Sequence, residues 1–299
     1  MDVLLQGGRE ITSEDIEHVH AVVDSCRGLS RKELAHTICE HWGWVTASGA
    51  HKVQACLTLL EKLEAQGKIH LPEKQEQPKR KKSTPPPMTS RTDRPTEEIA
   101  GGLAEVGGVS LEIVTDEAEK GLWNEYMERY HYLGYRKPFG FRLRYFIVSK
   151  HGRLGCALIA GAAKAIGARD RWIGWGEKQR LNNLPWVVNN TRFLIFPWVR
   201  VRFLASHVLG RLARRVRDDW HERWGYRPVL METFVDPARF RGISYQAAGW
   251  TCLGQTTGRG LRRPGRDYST TVKMIYVRPL VRDFRQWLCS DSLTGERDE

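Results

Sequence analysis

Apolar and polar positions alternate most sharply between Pro228 and Pro237, where Val229, Met231 and Phe234 interleave with Leu230, Glu232 and Asp236. Period-two alternation in a short run bounded by prolines predicts a strand that ends at Asp236. Arg239, Arg241 and Gly242 follow, and residues 244–248 predict a short helix stopped by Gly249 and by a turn at Gly254. Carboxylates at a strand end, beside arginines and aromatics, have the composition of a site as much as of a paired surface turn.

Nearer the start of the chain the period is that of helices. Ile16, Val19, Val22 and Val23 share one face of a helix opened by residues 12–15. Ser30 with Glu33 three positions on matches a capping box, and the helix behind it should bury Leu34, Ile38 and Trp42. Val53, Leu57, Leu60 and Leu63 form the stripe of a third helix that Gly67 ends, and residues 68–71 are expected as a short strand or wing. Three short helices and a β tail predict a winged helix-turn-helix over residues 1–72. Its third helix would present His51, Lys52, Gln54 and Thr58 to a DNA groove. A helical docking module is the other reading, since this region is not especially basic.

Residues 73–98 are rich in Pro, Ser, Thr and charge, so a flexible linker is expected over 73–110. Its run of cations, residues 79–82, suits either a solvated tether or phosphate contacts without sequence preference. From residue 111 to 299 the pattern is α+β. It predicts a strand at 111–114, a helix at 117–129, a hairpin of 143–148 with 154–160, a strand at 187–195, a long helix at about 204–224, the strand before Pro237, a closing strand at 273–277 and a terminal helix near Val281. Residues 162–168 read as loosely helical.

Charge changes the picture. The chain of 299 residues carries a net +12 and 11 Trp, 9 Tyr and 9 Phe, which points to a polyanion whose bases can be stacked upon. Six cysteines lie scattered without a CxxC pair, which suits a reducing compartment. His36, Cys39 and His41 cluster by spacing but lack the fourth ligand of a closed zinc site. With no signal peptide and no apolar run of about 18 residues, a cytoplasmic protein is expected.

Candidate nucleic-acid contacts are His51 and Lys52 in the first unit and, in the second, Arg171, Trp172, Trp175, Asn190, Arg192, Arg200, Arg202, Arg211, Arg239, Arg241, Trp250, Arg259 and Arg262. Candidates for chemistry are His131 as base, Tyr132 or Tyr245 as proton donor or nucleophile, and the carboxylates Glu232 and Asp236, with Mg or Mn as the metal such a site would use. Four positions apart on one strand, those carboxylates face the same side about 13 Å from each other.

The segments METFVDPARFRGISYQAAGWTCLGQTTGRG, VVNNTRFLIFPWVRVRFLASHVLGRL and ERYHYLGY resemble the DruA family, named for a component of the Druantia anti-phage system; its domain is also found beside transposases. The resemblance runs from about Leu111 to Leu280 and extends to the region before Pro72. It implies DNA as ligand and helicase-like, other defence-system or transposase proteins as partners. The element order is also similar to the acetyltransferase-like (GNAT) fold and, more faintly, to the phage DNA-modifying protein Mom. The glycines that hold a cofactor pyrophosphate in acyl-CoA-binding members are missing from residues 199–206. The readings that follow are a DNA-binding defence or mobile-element protein, a nuclease, nickase or strand transferase, and a Mom-like base modifier.

Overall fold

The computed structural model describes residues 4–26, 28–73, 86, 88–138, 140–258 and 271–291. In chain order the elements are β1 (Leu4–Gln6), β2 (Arg9–Ile11), α1 (Ser13–Ser25), α2 (Arg31–His41), α3 (Val53–Ala65), β3 (Ile99–Gly101), β4 (Ser110–Ile113), α4 (Glu117–Tyr130), β5 (Arg142–Ser149), β6 (Gly152–Gly161) and α5 (Gly167–Ile173). They continue with α6 (Glu177–Asn183), β7 (Val187–Ile195), β8 (Val199–Val201), α7 (Leu204–Trp224), β9 (Leu230–Val235), α8 (Ile243–Ala247), β10 (Thr251–Gln255), β11 (Met274–Pro279) and α9 (Phe284–Leu288). The chain divides into two compact units. One comprises residues 1–82, 175–184 and 286–299, the other 83–174 and 185–285.

The first unit packs α1, α2 and α3 around Val19, Leu34, Ile38, Leu59, Leu60 and Leu63, all buried. The capping box expected of Ser30 with Glu33 forms, and Thr12 makes a second one with Asp15. The β ribbon of this unit is the hairpin β1–β2, and residues 68–71, expected as a strand or wing, form no strand, although Ile69 is buried. Helix α6 belongs here too. Its Asn182 donates to Gly8 O at 3.1 Å, and Gly8 has φ +87 with Asn182 Oδ1 only 1.8 Å from where a Cβ would stand, so no larger residue fits.

The second unit is a seven-stranded mixed sheet in the order β10-β11-β9-β7-β6-β5-β4. All neighbours are antiparallel except β7 and β9, which α7 joins in parallel. This is the expected α+β sheet with packed helices, with the edge strand β10 added. α7 buries Val208, Leu209, Leu212, Val216 and Trp220. Arg215, expected on a cationic face with Arg211 and Arg214, instead clasps Asp219 at 2.6 Å and donates to Leu111 O.

Much of the stretch expected as linker has structure. In residues 88–106, Thr89 and Thr92 donate to Glu125 of α4, which is 4% exposed, and β3 pairs in parallel with β8. A buried carboxylate held by several donors is a stronger anchor than the local composition suggests.

Phe203, the residue before α7, has φ +60 and is 78% exposed. A left-handed conformation costs an L-residue roughly 1–2 kcal/mol, and here no packing offsets it. Phe203→Gly should raise the melting temperature by about 2–4 °C, read by calorimetry; a lower Tm would contradict this.

Candidate nucleic-acid interface

Strands β7 and β9 pair at only three positions, Val187↔Leu230, Val188↔Met231 and Asn189↔Glu232, and then part. On the other side of β7 the register with β6 slips, since Leu158 faces Arg192 and Ile159 faces Asn190, leaving Thr191 bulged. Asn190 holds this break together. Its Nδ2 donates to Leu158 O and Arg192 O, its Oδ1 accepts from Tyr245 Oη at 2.9 Å, and its carbonyl accepts from Thr233 Oγ1. At 3% exposure Asn190 is a structural keystone, not the DNA contact expected of it.

Tyr245 reaches this gap from α8. The helix starts at Gly242, which has φ +72 and leaves 2.2 Å between a would-be Cβ and Tyr276 Oη. Tyr245 stacks on Tyr276 with ring centroids 5.8 Å apart and meets Trp250 edge-on at 5.2 Å. Burial pushes its phenol up to about 12, and the neutral hydroxyl donates to Asn190.

Gathered near where the strands part are His131, Tyr132, Arg192, Asp236, Arg239, Phe240 and Lys273. His131 and Tyr132, just past the end of α4, stack at 4.9 Å, Tyr132 meets Phe240 at 5.6 Å, and the Arg239 guanidinium lies 5.0 Å from the Tyr132 ring centre. Arg192 donates to Gly134 O and Thr191 O and has no carboxylate partner among the described residues. Burial lowers its pKa, and Arg136 lowers it further. Asp236 accepts from Ala238 N at 3.0 Å, and its side chain is mostly covered, so it closes the turn that carries Arg239 and Phe240.

His131 is held at about 4 by burial first and then by Arg192 and Lys273. Its Nδ1 accepts from Leu133 N, so the neutral ring carries its proton on Nε2 and presents a donor beside two cations. Because the folded value lies below the ordinary 6.5, the unfolded chain binds more protons between those limits. The neutral ring's contribution to stability is complete above about 6.5 and is lost as pH falls toward 4. A Tm-against-pH profile should therefore be shallower over this window in His131→Gln; parallel profiles would contradict the assignment.

Glu232, expected beside Asp236, is not in this site. It is fully buried, ion-paired to Arg169 at 2.7 Å, and also accepts from Ala163 N and Asn189 Nδ2. The extent of strand pairing explains this: residue 232 lies within the paired part of β9 and Asp236 beyond its end. The two carboxylates therefore do not form a metal pair. Among the described residues no three His, Cys, Asp or Glu converge.

The remaining candidates separate. Trp175 and Trp250 are buried at 8% and 4%, so neither ring is open to a base. Trp172 is half-buried, stacked on Phe284 with Arg285 over it, and Arg171 is exposed. In the first unit Lys52 turns inward to Gly7 O at 3.1 Å, and His51 rests against His36, so α3 does not present them as a DNA-reading pair. Arg200, Arg202, Arg211 and Arg241 are exposed or at a rim, and Arg200 is 3.2 Å from Glu98. Burial and then Arg211 and Arg214 depress His207, which marks those two arginines as neighbours of one patch. Arg259 and Arg262 lie outside the described residues. Sequence reasoning missed Lys273 and Phe240; a cation opening the closing strand and a ring beside Arg239 were the available signals.

Residues 62–263 match the family described as Druantia protein DruA, and the chain belongs to that family. No curated protein matches the sequence at a significant level. Among solved structures, similar chains include an aminoglycoside acetyltransferase AAC(6')-Ib in complex with coenzyme A and kanamycin. It is 16% identical, with 57% of this chain and 95% of that one covered and a TM-score of 0.38. Another is the spermidine/spermine N-acetyltransferase SpeG from Vibrio cholerae, 9% identical, with 60% and 96% covered and a TM-score of 0.36. A third is an N-acetyltransferase from Staphylococcus aureus Mu50, 11% identical, with 58% and 100% covered and a TM-score of 0.37. No helix among the described residues is long and apolar enough to cross a membrane.

Proposed function

We propose that this chain is a DNA-binding component of anti-phage defence, as its family name suggests, or of a mobile element, and that it grips DNA through the second unit. One observation carries the reading. Where β7 and β9 part, the half-buried cation Arg192, without a carboxylate partner among the described residues, stands beside Lys273, the Nε2–H donor of His131 and the exposed rings of Tyr132 and Phe240. A half-buried guanidinium without a counter-ion is costly unless an external anion completes it. Donors beside open ring faces suit a phosphate with its base and suit a small carboxylate metabolite less. The patch of Arg211 and Arg214 and the net charge of +12 extend the same field.

Strand cleavage has less support, because Glu232 is spent on Arg169 and the Tyr245 hydroxyl on Asn190. Fluorescence anisotropy with a labelled duplex and a labelled single strand, titrated from about 50 to 200 mM salt, tests the reading. Affinity should fall by roughly 10³-fold if about six phosphates are contacted. Affinity that does not change with salt would overturn it.

A further inference from the structure

We propose that the place where β7 and β9 part accepts a single nucleotide turned out of a DNA duplex, its base lying on the exposed Phe240 ring beside the edge of Tyr132 and its phosphate on Arg192. This rests on the DNA reading above and adds to it the form of DNA and the unit recognised. Four observations lead there. Tyr132 is 36% exposed and Phe240 52%, with centroids 5.6 Å apart at 60°, so the two rings form an open notch and not a closed stack. A base within a duplex offers only its edges to a protein, and a ring face can take it only once it leaves the stack.

The ring surface left open is small. His131 closes it on one side by stacking on Tyr132, and Arg239 covers another part of the same ring at 5.0 Å. A platform for a continuous single strand would instead repeat its rings along a groove. The phosphate donors also lie close to these rings. Arg192 and Lys273 both bear on His131, and Arg192 and Arg239 both bear on Tyr132. Finally, Phe240 and Ile243, the latter 57% exposed, frame Gly242 on the turn into α8. Apolar side chains held outward on a short turn beside a cationic site match the wedges with which proteins open a base step. A single-strand binder has no use for a wedge.

The test uses the full chain and a duplex of about 25 bp carrying one 2-aminopurine, fully paired, mismatched or opposite an abasic site, together with the same strand alone. Binding should raise 2-aminopurine fluorescence several-fold, and the mismatched and abasic duplexes should bind about tenfold or more tighter than the paired one, because unpairing is already met. Phe240→Ala with Ile243→Ala, two exposed positions, should bring the matched and mismatched affinities together. Binding without a fluorescence rise and without mismatch preference overturns this proposal and leaves the DNA reading standing. Tighter binding of the single strand than of every duplex also overturns it. No binding in any arm at low salt overturns the DNA reading itself.

Discussion

Arg192→Glu lowers affinity for DNA by roughly 30- to 1000-fold, and Arg192→Ala lowers the salt slope by about one unit. The size follows from position. Arg192 is half-buried at the bulge of β7, has no carboxylate partner among the described residues, and is already strained by burial and by Arg136, so a phosphate there relieves a charge that the fold leaves uncompensated. An exposed, already paired arginine should matter far less. Arg200→Glu, which loses only a contact 3.2 Å from Glu98 at the rim, is expected to change affinity by no more than a few fold. Because Arg192 also donates to Gly134 O and Thr191 O, the melting temperature of each variant separates lost binding from lost folding. Equal effects of the two charge reversals would mean that the cleft does nothing beyond the general field.

The second large effect concerns stability. Arg169→Ala or Glu232→Ala should cost about 3–5 kcal/mol, because the first leaves the buried Glu232 carboxyl without its cation and the second leaves the buried guanidinium with Asp170 as its one carboxylate. Both side chains are fully covered, and the pair ties β9 to the crossover between β6 and α5 through Ala163 N, Ala163 O and Asp170. In a unit of this size that is a fall of about 6–20 °C in Tm. Replacing both, Arg169→Met with Glu232→Leu, should cost less than the two single changes together. A Glu232→Ala protein that melts like the wild type would contradict the structural role given to this residue and return it to the list of catalytic candidates.

The backbone framework was legible wherever local chemistry decides it. The helix opening at residues 12–15, the capping box at Ser30, the stripe of α7 and the alternation into β9 all speak through neighbours in sequence. Strand β10 was missed because Thr251–Gln255 is an exposed edge with no alternation, and β3 because three residues in a polar stretch gain strand form only by pairing with β8. The small residues of 162–168 predict a loose helix, whereas α5 begins at Gly167.

The site divides in the same way. His131, Tyr132, Arg192, Asp236, Arg239 and Tyr245 were recognisable as polar and aromatic groups in places where a core would be apolar. That they meet depends on sheet order, which no spacing encodes. The Arg169–Glu232 pair spans 63 positions and Asn190 with Tyr245 spans 55, so sequence alone made a catalyst of one buried partner and a DNA contact of another.

Photo-crosslinking with mass spectrometry tests most directly whether the parting of β7 and β9 is the DNA site. The full chain is bound to a duplex carrying 5-iodouracil in place of thymine at a mismatched position, irradiated and digested. The account predicts crosslinks on the peptides holding Tyr132 and Phe240, lost when Arg192→Glu abolishes binding. Crosslinks confined to the first unit, with none on those two peptides, would contradict it.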